Sequence, residues 1–107
     1  LLSTGWIIRS QGPVALPDSR PEPDGAIVRG DRSTYFARHP TPADFGVVVE
    51  VADSSLAEDR EDMGRVYARA GLPEYWIVNI PDRQVEVYTG PQPAADPPHY
   101  ATRQDYQ

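Results

Sequence analysis

Val47, Val48, Val49 and Val51 crowd β-branched side chains into one short run, and Glu50 is the single charge among them. Such a run folds as a strand before anything else. It is nearly continuous rather than alternating, so the pattern predicts a strand over Phe45 to Ala52 buried on both faces. Asp53-Ser54-Ser55 follows, with side chains suited to the N-terminus of a helix. A helix is predicted over Leu56 to Ala70, closed by Gly71 with Pro73 two residues beyond. Tyr75-Trp76-Ile77-Val78 reads as a second buried strand. Pro81-Asp82-Arg83 is a turn, and Gln84 to Tyr88 is a third strand that pairs back as a hairpin. The expected fold class is therefore α/β: a mixed central sheet with one main crossover helix.

The flanks are less regular. Trp6 to Leu16 holds two short apolar runs split by Gln11-Gly12-Pro13 and reads as a hairpin or a bent strand. Pro17 to Pro23 is a loop stiffened by its prolines. Ala26-Ile27-Val28 is a strand entered through Asp24-Gly25, and Gly30 to Asp44 is a connection. Gly90 to Pro98 is rich in Pro and Gly, and Tyr100 to Tyr106 carries little pattern. At 107 residues the chain is expected to form one domain, with its core over residues 6 to 88 and a loop-rich tail over 89 to 107.

Charge and cysteine content narrow the chemistry. Acidic residues number 16 and basic residues 10, giving a formal charge of −6, and every basic residue is Arg. An acidic balance argues against tight non-specific nucleic-acid binding by the whole surface, while leaving room for a local basic patch. The absence of Cys excludes a disulfide scaffold, a thiolate metal site and a cysteine nucleophile. It fits a reducing, cytoplasmic compartment. No apolar run is long enough for a membrane helix, and the start of the chain lacks the pattern of a signal peptide.

Two carboxylates stand out by position. Glu50 interrupts an apolar strand, where an unpaired buried charge is costly. Asp24 opens a strand after a proline. Carboxylates from neighbouring strands can converge on one Mg²⁺, which takes oxygen ligands and keeps several waters. The residues leave a second possibility open: Glu50 points outward from an edge strand and Asp24 caps a turn. On the helix, a projection at about 100° per residue places Leu56, Asp59, Val66, Tyr67 and Ala70 on the side of Met63. His39 and His99 lie in proline-flanked loops and read as surface residues. Ser54 and Ser55 lack a nucleophile elbow and read as helix caps.

The run Glu50-Val51-Ala52-Asp53-Ser54-Ser55-Leu56, then Tyr67-Ala68-Arg69-Ala70-Gly71-Leu72-Pro73-Glu74-Tyr75-Trp76-Ile77-Val78-Asn79, resembles the Uma-type family of the PD-(D/E)xK nuclease superfamily. Pro23-Asp24 matches that family's Pro-Asp motif, and Arg83 to Tyr88 matches the strand after the Tyr-Trp strand. The resemblance covers Ile8 to Tyr88. It implies a restriction-endonuclease-like core and a Mg²⁺ or Mn²⁺ site built from Asp24 and Glu50, with the Val51 carbonyl as a further ligand. DNA is the implied substrate, cut by a metal-activated water. The family's lysine, carried on the helix four residues before the Tyr, is Met63 here, and Met offers no positive charge to a phosphate. Arg60, one turn earlier, is the nearest cation that can stand in, though a guanidinium stays protonated and makes a poor base.

Two function classes follow. The first is a metal-dependent DNA endonuclease with Asp24, Glu50 and Arg60 in its site. The second is a nuclease fold that has lost its chemistry and serves as an interaction or assembly module. The family's N-terminal helical segment has no counterpart ahead of Trp6, so an uncovered apolar face and a homo-oligomer are expected.

Overall fold

Backbone hydrogen bonding turns the valine run into the middle of a sheet. The computed structural model describes residues 5–107, including every side chain in that span except that of Arg32. Six strands lie side by side in chain order: β1 (Trp6–Ser10), β2 (Gly25–Arg29), β3 (Phe45–Ala52), β4 (Glu74–Asn79), β5 (Gln84–Gln92) and β6 (His99–Tyr106). All neighbours are antiparallel except β3 and β4, which run parallel. A parallel pair needs a crossover, and the helical segment after β3 supplies it. That segment has three parts: α1 (Leu56–Glu58), a π turn (Asp59–Met63) and α2 (Gly64–Arg69). The expected mixed sheet with one main helix is what the chain forms.

The helix ends as its sequence predicts. Gly71 has φ of +74°, which only glycine adopts readily. Its N–H donates to Ala68 and that of Leu72 to Tyr67, so the last carbonyls are satisfied. The helix start differs from expectation. Ser55 occupies the N-cap position, but its hydroxyl donates to the Asp59 carboxylate at 2.9 Å instead of capping a backbone N–H. A carboxylate one turn on is a strong acceptor, and the hydroxyl turns to it.

The core lies between the helix and one face of the sheet. Val48, Ala52, Tyr75 and Ile77 on the strands meet Tyr67 and Leu72 from the crossover, and all are buried. Burying each of the larger side chains contributes on the order of 1.5–3 kcal/mol.

Three expectations need correction. The valine strand is not covered on both faces. Its Val47 and Val49 are half-buried and Val51 is 46% exposed, because the one helix packs on the opposite side. Val14-Ala15-Leu16 does not continue β1 into a hairpin. It runs as a loop whose N–H groups donate to Pro21, Pro40 and Ser19, and Val14 plugs the core. The tail is not loop-rich: β5 extends through Gln92 and β6 pairs along it from Gln92↔His99 to Val85↔Tyr106. Only the segment between those strands is a loop.

Candidate functional site

Asp24 and Glu50 are brought together by strand pairing. Gly25 opposes Val49 across β2 and β3, which sets Asp24 beside Glu50 at the end of that ladder. Buried Pro23 fixes the approach of the chain. The backbone N–H of Val51 donates to Asp24 Oδ2 at 2.7 Å, and that of Asp24 reaches Glu50 Oε1 at a long 3.4 Å. Asp24 is exposed, whereas Glu50 is buried and faces the helix. Since β3 is interior to the sheet, the edge-strand alternative for Glu50 does not hold.

The helix completes the surroundings of Glu50. The Tyr67 hydroxyl donates to Glu50 Oε2 at 2.8 Å. Burial, together with the charges of Asp24 and Asp59, pushes the Glu50 carboxyl up to about 7, against the pull of the Tyr67 hydrogen bond. Burial chiefly, with Asp24 and Glu58 nearby, also pushes Asp59 up, although Ser55 opposes the shift. Tyr67 is pushed up by burial and by Glu50, so it remains a donor. Two carboxylates and a third close by thus share one pocket of negative charge with no cation bonded to them among the described residues.

Asp59 is the residue that sequence reasoning passed over. It is buried, and the helical projection had placed it on the inward side with Tyr67. A carboxylate on the apolar side of a helix was the available signal. Its backbone carbonyl accepts from Gly64 N–H, which makes the turn π rather than α, and from the Tyr75 hydroxyl at 2.9 Å. A side chain inserted into the helical ladder is a recognised cause of such a turn.

Arg60 is not brought to this pocket. Its guanidinium engages Glu86 on β5, with Nη2 at 2.5 Å and Nε at 3.0 Å. Glu86 is fully buried, also accepts from Asn79 at 2.8 Å and from Tyr88 at 2.6 Å, and forms an ion pair with Arg103 at 3.2 Å. Burial alone would raise its carboxyl; Arg60, Tyr88, Asn79 and Arg103 outweigh that and hold it down at about 2. Met63 packs half-buried against the core. His99 turns its Nδ1 to the Pro97 carbonyl at 2.9 Å.

Among the described residues, no three His, Cys, Asp or Glu side chains converge closely enough to enclose a metal ion. Two carboxylates do fit a hard cation that keeps several waters. Asp24 Oδ1 has no hydrogen-bond partner within the described residues, and Glu50 Oε1 has only the long contact to Asp24. The donor type, the charge and the open side at Asp24 suit Mg²⁺ or Mn²⁺. None of the described helices is long and apolar enough to cross a membrane.

No curated protein matches the chain in sequence. A family model does: Uma2, described as "Putative restriction endonuclease", over residues 2–105. The mixed six-stranded sheet with one main helix is consistent with the restriction-endonuclease-like α/β fold. A match that takes in Asp24, Glu50, the crossover helix and all six strands makes the chain a member of the Uma2 family.

Proposed function

We propose that the chain is a metal-dependent DNA endonuclease domain that hydrolyses phosphodiester bonds at Asp24 and Glu50. The observation that carries this reading is the geometry that sets Asp24 beside Glu50 across β2 and β3, with one Asp24 oxygen open; burial and the neighbouring carboxylates, which raise the Glu50 carboxyl, agree with it. Negative charge is concentrated there with no bonded cation among the described residues, which is the situation that a bound Mg²⁺ or Mn²⁺ relieves. The family description supports the nuclease part of the reading.

Asp24 and Glu50 are the residues that would hold the ion. When bound, such an ion lowers the pKa of a water and offsets charge on a phosphate. The chain's own groups set up the rest. Tyr67 fixes one Glu50 oxygen and leaves the other toward Asp24. The Val51 N–H fixes one Asp24 oxygen and leaves the other open. In an extended residue the carbonyl lies on the same strand edge as the N–H, so the Val51 carbonyl is on the Asp24 side and is assigned as the further oxygen ligand. Arg60 has no part in this scheme, since Glu86 holds it. Met63 supplies no charge to the phosphate, and turnover is expected to be slow for that reason.

The engaged Arg60 and the apolar Met63 also favour a second reading, a silent nuclease fold that acts through assembly. We place the chain in the cytoplasm, supported by its lack of Cys, and expect copies to associate through the uncovered sheet face.

Calorimetric titration with Mn²⁺ tests the site, on the parent and on Glu50→Ala. Binding by the parent that is lost in the variant supports it. Cleavage of DNA that survives Glu50→Ala would sink the assignment. Met63→Lys separates the two readings. A rise of tenfold or more in Mn²⁺-dependent cleavage marks an intact site short of one cation, while an inert Met63→Lys that still binds Mn²⁺ favours the silent fold.

A further inference from the structure

The sheet has two edges, and they differ. β1 is five residues long and carries Arg9. β6 is eight residues long, contains neither Pro nor Lys, and pairs with β5 in unbroken register from Val85↔Tyr106 to Thr89↔Thr102. Among the described residues no strand lies beyond it. Alternate residues of such an edge turn a backbone N–H and C=O outward, which makes it a template for a further strand. Edges are ordinarily guarded by shortness, Lys, Pro or a bulge. Over residues 102–106, β6 has none of these.

The side chains of β6 indicate which strand fits. Asp105 pairs with Glu86 and Arg103 with Tyr88, so both stand on the helix side of the sheet. Gln104 pairs with Val87 and stands on the bare side. The Arg103 guanidinium is fixed by Asp105 at 2.8 Å and by Glu86 at 3.2 Å, yet Arg103 and Asp105 each keep 38% of their side-chain surface exposed. These groups make the edge complementary to itself. A two-fold axis normal to the sheet joins two copies of β6 antiparallel and keeps each side chain on its own side. Side chains alternate along a strand, so only residues of equal parity then face one another, and the axis falls at a residue. At Arg103 or Asp105 it would set like charges opposite, which is destabilising. At Thr102 it leaves Arg103 facing Ala101. At Gln104 it sets Arg103 of each copy opposite Asp105 of the other. The two Gln104 amides then meet on the bare side, and Thr102 faces Tyr106.

We infer that the outer edge of β6 is an interface for a second copy of this chain, paired antiparallel about Gln104. Two six-stranded sheets become one continuous sheet, with both crossover helices on the same side. The interface is separate from the uncovered sheet face. It leaves Asp24 and Glu50 of each copy untouched, since β2 and β3 lie away from this edge.

The chain has no Cys, so single cysteines report the register directly. Facing Cα atoms are about 5 Å apart, within disulfide reach. Gln104→Cys is expected to form a disulfide-linked dimer under mild oxidation. Thr102→Cys alone is expected not to, because its two copies lie roughly 14 Å apart along the strands. An equimolar mixture of Thr102→Cys and Tyr106→Cys is expected to give the mixed dimer. Sedimentation equilibrium reads the same interface without a cross-link. The parent is expected to be dimeric and Asp105→Lys to dissociate about tenfold more readily or further. Val49→Lys, on the bare face, is expected to leave the dimer intact. Circular dichroism checks that Asp105→Lys is folded; should it not be, the cysteine pairs decide. A parent that is monomeric at every concentration overturns the inference and leaves the edge to some other strand. Cross-linking of Thr102→Cys as fast as Gln104→Cys also overturns it, as does a dimer that Val49→Lys dissolves and Asp105→Lys does not.

Discussion

Glu50 and Glu86 occupy one row of the sheet, each paired in register with Ile77 between them, and both face the helix. Their fates are opposite. Glu50 meets other carboxylates and is pushed up to about 7, while Glu86 meets Arg60, Tyr88, Asn79 and Arg103 and is held at about 2. The pH dependence has opposite signs in consequence. Between pH 4.5 and 7 the folded chain binds more proton at Glu50 than the unfolded chain does, so stability falls as pH rises through that window. Glu50→Gln is expected to raise stability by up to about 3 kcal/mol above pH 7 and by almost nothing near pH 4, as urea denaturation at the two pH values would reveal. Glu86 contributes stability that is complete above pH 4.5 and is lost as pH falls toward 2. Glu86→Gln leaves Arg60 without its counter-charge and is expected to cost about 3 kcal/mol at neutral pH. In sequence the two look alike, each an acid between valines. Glu50 was legible as a candidate because a charge in an apolar strand demands a partner. That the partner of Glu86 is a cation 26 residues away, and that Glu50 has none among the described residues, depends on which helix residue crosses which strand. No local pattern carries that information.

At the level of elements, the helix was legible in extent but not in its winding, and its buried side, with Asp59, Gly64, Tyr67 and Ala68, is turned from the side predicted around Met63, which is itself only half-buried. Apolar spacing over Leu56 to Ala70 is nearly the same for an α-helix and for one with a single π turn. What sets the turn is the Tyr75 hydroxyl on β4, bonded to the Asp59 carbonyl. Tyr75→Phe keeps the ring against Tyr67 and Tyr88 and removes only that bond. It is expected to cost about 1–2 kcal/mol. Faster amide exchange should be confined to the segment around Asp59 to Gly64, and unchanged exchange there would count against this account of the turn. Strand β6 was illegible for a different reason. Nearly all of its side chains are exposed, so it has no alternating apolar signal, and its existence follows from pairing with β5.

Over the whole molecule, one helix covers one face. The row Val49, Trp76 and Val87 lies on the other, half-buried at best, with Ile8 70% exposed toward the β1 edge. The valine run predicted a strand enclosed on both sides, and the chain described here encloses it on one. Solubility then hangs on long-range repulsion. At neutral pH a surplus of six negative charges limits association through this face to small assemblies, and that surplus vanishes near pH 4.7 while the bare face is unaltered. Light scattering across an acid titration is expected to show a sharp turbidity maximum there, at a pH where the fold itself is intact. Val49→Lys, which sets a charge in the middle of the bare face, is expected to flatten that maximum, so that colloidal behaviour reports on a surface that no binding assay needs to identify.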